Sequence, residues 1–122
     1  MENFEHYMSI ALLEAEKASK KDEVPVGCVI VKNNKIIAKA HNLREHQHSV
    51  LGHAELLALA KASKKLNDWH LNDCDMYVTL EPCAMCAGAI NQARISEVIY
   101  ALKDPHNGAI DSGAKLYQFK TI

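Results

Sequence analysis

Phe4, Tyr7, Met8, Ala11, Leu12 and Ala15 recur at steps of three and four, with Glu14, Glu16 and Lys17 between them. That period gathers the apolar side chains on one face and predicts an amphipathic helix ending in the polar Lys20-Lys21-Asp22 stretch. Residues 26–31 then turn β-branched and apolar, as do residues 36–40. Between them stands Asn33-Asn34, a pair that tolerates positive φ, so the two stretches read as strands of a tight hairpin. Residues 43–49 are polar and His-rich and read as a loop. Residues 53–64 carry Ala and Leu on nearly every side, the mark of a helix packed against a sheet rather than lying on a wet surface. A short apolar strand over 76–80 runs into Glu81-Pro82. A helix over 83–92 follows, with Pro82 in the first turn where a helix accepts it. Residues 96–101 form a further strand, and the rest to Ile122 mixes turn residues with a weak apolar pattern at Leu116, Tyr117 and Phe119. Strands alternating with helices after an opening hairpin predict an α/β fold, a three-layer α/β/α sandwich with a mixed central sheet. With no repeat or linker, residues 1–122 read as a single domain.

Composition narrows the partners. The chain has 122 residues, 48% of them hydrophobic, enough for one apolar core. Its formal net charge of −1 gives no bulk attraction to nucleic acid, so any grip on RNA has to come from a local patch. No basic leader with a cleavage site opens the chain, and no apolar run approaches the roughly 20 residues that span a bilayer, which predicts a cytoplasmic protein without a membrane partner. Of the four cysteines, Cys83 and Cys86 form a Cys-x-x-Cys pair, while Cys28 and Cys74 read as small buried apolar groups.

The candidate chemistry lies in His53-Ala54-Glu55 and in Pro82-Cys83-Ala84-Met85-Cys86. His53, Cys83 and Cys86 offer three donors of the kind zinc takes. A closed structural site uses four protein ligands, whereas a catalytic one uses three and leaves the fourth position to water. Both His53 and the Cys pair open predicted helices, so two helix N-termini converge on the metal and favour thiolate. Glu55 lies about 200° around the helix from His53 by the 3.6-residue period, awkward for a second ligand but suited to carrying a proton beside the metal. A redox pair or half of a structural zinc ribbon is the plainer reading of Cys-x-x-Cys alone, with Cys74 as the rival fourth ligand. His41, His46, His48, His70 and His106 read as solvated loop residues, and Trp69 as a packing residue over the end of the second helix.

These blocks, together with Glu23-Val24-Pro25-Val26-Gly27, His41-Asn42 and residues 77–90, closely resemble the bacterial tRNA-specific adenosine deaminases, within the zinc-dependent cytidine/deoxycytidylate deaminase superfamily. The resemblance implies a cytidine-deaminase-like sandwich and a homodimer with one zinc ion per subunit. It also implies conversion of adenosine to inosine at the wobble position of a tRNA anticodon loop. By position it makes His53, Cys83 and Cys86 the zinc ligands and Glu55 the proton shuttle. Asn42 becomes the side chain that bonds the flipped base, and Val26 and Gly27 the edge of the base pocket. Ala54 supplies a backbone N–H beside the reacting carbon, and Asp104 a contact to the nucleic-acid backbone. A deaminase of free nucleobases or nucleosides, of guanine or cytosine type, shares the zinc chemistry; a shortened inactive homologue with structural zinc is the non-enzymatic alternative. Three departures carry expectations. Val50-Leu51-Gly52 replace a segment that caps the helix after it, Asp111 brings a negative charge to a place where relatives carry Gly, and the chain stops at Ile122, short of a last strand and a basic helix. The first predicts a lost helix cap, the second repulsion of phosphate. The third leaves the strand over 96–101 as an edge unless residues 116–122 or a partner cover it.

Overall fold

The computed structural model describes residues 3–112. Helix α1 (Phe4–Lys20) leads into strands β1 (Gly27–Lys32) and β2 (Lys35–His41), followed by the one-turn helix α2 (Arg44–Gln47) and helix α3 (Ala54–Leu66). Strand β3 (Cys74–Leu80), helix α4 (Ala84–Ala93) and strand β4 (Glu97–Leu102) complete the order. The sheet runs β2-β1-β3-β4, with β1 antiparallel to both its neighbours and β3 parallel to β4. This is the mixed sheet the sequence predicts. Asn33 and Asn34 make the hairpin turn at φ 52 and 61, and the Tyr7 hydroxyl donates to the Asn34 carbonyl at 3.0 Å.

Period-two alternation sorts the sheet into two cores. Cys28 and Ile30 of β1, and Cys74, Met76 and Val78 of β3, point to the side covered by α3 and α4; Val29, Val31 and Tyr77 point to the side where Tyr7 and Ala11 of α1 lie. The layers are therefore α1, sheet, and α3 with α4. Each fully buried aliphatic side chain here contributes roughly 1.5–3 kcal/mol. Gly27 marks the closest approach of α1 to the sheet: a Cβ on it would collide with the Ala11 carbonyl oxygen and stand 2.6 Å from the Ala15 nitrogen.

The differences from the sequence reading are local and have physical causes. Residues 44–47 are helical rather than loop, because the buried Glu23 carboxylate accepts the N–H groups of Glu45 (3.2 Å) and His46 (2.9 Å) and so caps the turn from another part of the chain. Pro82 lies just ahead of the N-cap residue Cys83, not in the first turn of α4. His41 and His46 are not free in solvent. His41 Nδ1–H donates to Glu14 at 2.8 Å while its Nε2 accepts from Lys21 at 3.0 Å, and His46 bonds Glu23 at 2.7 Å. Trp69 is 58% exposed, stacked on His70 with Arg94 over its ring, so it flanks the groove between α3 and α4 without being buried. The pattern at Leu116, Tyr117 and Phe119, and with it any cover for β4, lies outside the described residues; among those described, β4 is a sheet edge. None of the described helices is long and apolar enough to cross a membrane.

Candidate metal centre and active site

His53 and Cys83 are the N-cap residues of α3 and α4, in extended conformation and with no side-chain capping bond. Their side chains are thus free to face each other across the gap between the helix starts. Cys86, one turn into α4, is fully buried. The ligand atoms of the three residues lie within 4.8 Å of one another, and His53 Nδ1 stands 3.9 Å from Cys83 Sγ. Two atoms sharing one tetrahedral zinc at about 2.0–2.3 Å each are separated by roughly 3.5–3.8 Å, so the donor set fits zinc in both chemistry and spacing. Cys74 takes no part. It begins β3, at the far end of the strand from Pro82-Cys83, and is not one of the three clustered donors.

Electrostatics favour metal capture. The hydrogen bond from the Cys86 thiol, outweighing burial, holds Cys83 down to about 5, while that same bond and burial push Cys86 up. The pair shares one negative charge until a cation displaces the remaining proton. Beside it, Glu55 is 4% exposed. Burial, with the Cys83 charge adding to it, pushes its carboxyl up to about 7, near the value that suits a group that both takes and gives a proton at neutral pH.

His53, Glu55 and Cys83 line a cleft of about 550 Å³, as do Val26, Asn42 and Asp104, while Cys86 is buried beside them. Asn42, buried just after β2, accepts the Ala54 N–H on its Oδ1 at 2.8 Å. The start of α3 therefore does not lose its cap; Asn42 supplies it from a neighbouring element. Two expected pocket residues are placed differently. The Ala54 N–H is engaged by Asn42, and Gly27 abuts α1 instead of lining the cleft. Asp104 accepts the Asn107 N–H at 3.1 Å. Asp111 takes a short hydrogen bond from the Tyr100 hydroxyl, so its charge is tied to β4; burial, with that bond adding to it, raises Tyr100 to about 12.

Sequence reasoning missed Glu81, Glu23, Arg44 and Asn107. Arg44 and Asn107 line the mouth of the cleft. Glu81, 2% exposed at the end of β3, accepts hydrogen bonds from the loop over 104–112; burial alone would raise its carboxyl, but those bonds hold it at about 2. The available signal was a carboxylate directly before Pro82-Cys83, where a strand end is buried.

Residues 1–102 match the cytidine and deoxycytidylate deaminase zinc-binding region. The chain belongs to that family. Among deaminases it is 45% identical over 121 residues to the tRNA-specific adenosine deaminase of Streptococcus pyogenes serotype M1, covering 99% of this chain and 69% of the relative. It is 46% identical over 114 residues to the enzyme of the same name from Bacillus subtilis strain 168, covering 93% and 71%. The fold superposes on a solved deaminase that edits A to I at the wobble position of transfer RNA, with a TM-score of 0.89 and 43% identity over 90% of this chain and 80% of that one. A guanine deaminase from Bacillus subtilis follows at a TM-score of 0.79 and 38% identity, over 81% and 64%. Zinc is the cofactor of the deaminase family, and His53, Cys83 and Cys86 are the residues here that would hold it.

Proposed function

We propose that this chain deaminates adenosine to inosine at the wobble position of a tRNA anticodon loop. The observation that carries the reading is the buried Glu55 carboxyl beside the His53, Cys83 and Cys86 donors, at a cleft that Glu55, His53 and Cys83 line. Identities of 45% and 46% to tRNA-specific adenosine deaminases support adenosine in tRNA as the substrate.

His53, Cys83 and Cys86 would hold zinc, which would supply Lewis acidity toward water. Glu55 takes one proton from the attacking water and passes it to a ring nitrogen of adenine as the C6–O bond forms, then takes that water's second proton and gives it to the amine as the C6–N bond breaks and ammonia leaves, a role its near-neutral carboxyl suits. Asn42, its oxygen fixed by Ala54, presents its amide NH₂ to the splayed-out base, and Val26 gives the base an apolar edge. Gly27 acts at one remove, letting α1 pack close behind β1. Asp104 keeps a carboxylate oxygen for a ribose hydroxyl at the rim, and Arg44 meets phosphate.

The likeness to guanine deaminase supports a second reading, a deaminase of free bases. Mapping inosine in a tRNA anticodon stem-loop, against ammonia release from free guanine, cytosine and adenosine, separates the two. One inosine at the wobble position is the expected result; turnover of free bases alone overturns the RNA reading. A cytoplasmic homodimer completes the proposal. The four unpaired thiols fit a reducing compartment, and the apolar groove between α3 and α4 beside exposed Trp69 fits a second copy.

A further inference from the structure

We propose that Glu81 is a positioning residue whose carboxylate sets the cleft wall formed by Asp104 and Asn107, and through it the grip on substrate. The inference rests on the deaminase reading of the cleft and deepens it. One Glu81 oxygen, Oε2, accepts the N–H groups of Ile110 (3.0 Å), Asp111 (2.8 Å) and Ser112 (2.8 Å). The other, Oε1, accepts the Asp104 N–H (3.0 Å) and the Ser112 hydroxyl (2.8 Å). That load fills the roughly four lone-pair directions of a carboxylate. Gly108 passes so close that a Cβ on it would stand 2.5 Å from Oε1 and 2.6 Å from the Asp104 carbonyl oxygen.

The same stretch is stitched by backbone to the start of α4. The Ala109 N–H donates to the Pro82 carbonyl at 2.9 Å, and Cys83 bridges Gly108. A metal-ligand position and a cleft wall thus share one anchor. The two halves of the loop differ in how they are held. Ala109 and Ile110 are buried in the core, whereas Lys103, Pro105, His106 and Asn107 are exposed, so the half that lines the cleft depends on polar tethers, the Asp104 bond to Glu81 first among them.

Glu81→Gln divides the halves, because an amide keeps a single acceptor oxygen. With that oxygen toward Ile110, Asp111 and Ser112, the new NH₂ meets the Asp104 N–H donor to donor, while the Ser112 hydroxyl can turn and accept. The test uses zinc-loaded protein and a tRNA anticodon stem-loop. Expected for E81Q are faster amide exchange at Asp104 and Asn107, unchanged zinc content, and KM raised about tenfold with kcat nearly unchanged. Gly108→Ala, which crowds the same oxygen, should give the same pattern and decides the matter where E81Q fails to fold. An unchanged KM, or a loss confined to kcat and zinc content, overturns the proposal. A wild-type protein that leaves the stem-loop unedited but turns over free guanine refutes the RNA reading instead, and the same KM comparison made on guanine then decides Glu81.

Discussion

At the floor of the cleft, His53 and Cys83 are each fixed by the helix they cap, and Cys86 by the next turn of α4. At the rim, the one-turn helix α2 and the 104–112 loop hang on carboxylates far away in sequence, Glu23 and Glu81. Each floor ligand takes its place from the start of its own helix, whereas the rim leans on long-range carboxylates. Chemistry and substrate grip therefore fail separately: damage to the floor should appear in kcat or metal content, damage to the rim in KM.

The largest expected effect lies at the floor. Cys86→Ser should abolish zinc binding and activity together, read by metal analysis and inosine formation on the same sample. Retained stoichiometric zinc would break the assignment of the cluster. Next, Glu55→Gln should keep zinc and lose about 10²–10⁴ in the single-turnover rate. Full activity in that variant would remove Glu55 from the chemistry and leave the carboxylate a packing role. At the rim, Arg44→Ala should raise KM for RNA a few-fold, leave kcat alone, and lower the slope of log affinity against log salt by about one phosphate contact. A fall in kcat instead would erase the distinction between the two regions.

The smallest effect tests how the end of β2 is tied to α1. Burial tends to raise the Glu14 carboxyl, but its hydrogen bonds with His41 and Lys17 outweigh that and hold it below its ordinary value of 4.5. A carboxyl depressed in the folded state stabilises above its unfolded value and ceases to do so as pH falls through the folded one. Wild type should therefore melt above Glu14→Gln near pH 7, and the difference should shrink on acidification below pH 4.5. A difference that grows with acid would reverse the sign of the coupling.

This division also explains what could be read from the sequence. The alternation in β1, the stripe on α1 and the Asn33-Asn34 turn are short-range patterns, and each predicted its element to within a residue or two. The metal cluster was equally legible, because His53 and the Cys pair each stand at a helix start that their own local sequence marks. The resemblance to known deaminases pointed to Asn42, and the structure shows it capping α3. The α2 turn and the 104–112 loop were not legible, since no local spacing shows that Glu23 or Glu81 will gather distant backbone N–H groups. Asp111 shows the same limit. Read alone it is a stray negative charge, and only Tyr100, on β4, reveals its partner.

Strand β1 has a consequence for how such a chain can diverge. Cys28 and Ile30 fill one core while Val29 and Val31 fill the other, and all four are buried. The strand has no wet side on which a mutation can pass unnoticed. Neutral drift should collect instead at the outward Lys35 and Lys39 of β2 and at Ala101 and Leu102 of β4, which are exposed. A deep mutational scan should then show β1 as an unbroken block of intolerance flanked by permissive edges, with the hairpin's second strand free to change its charge while its first cannot.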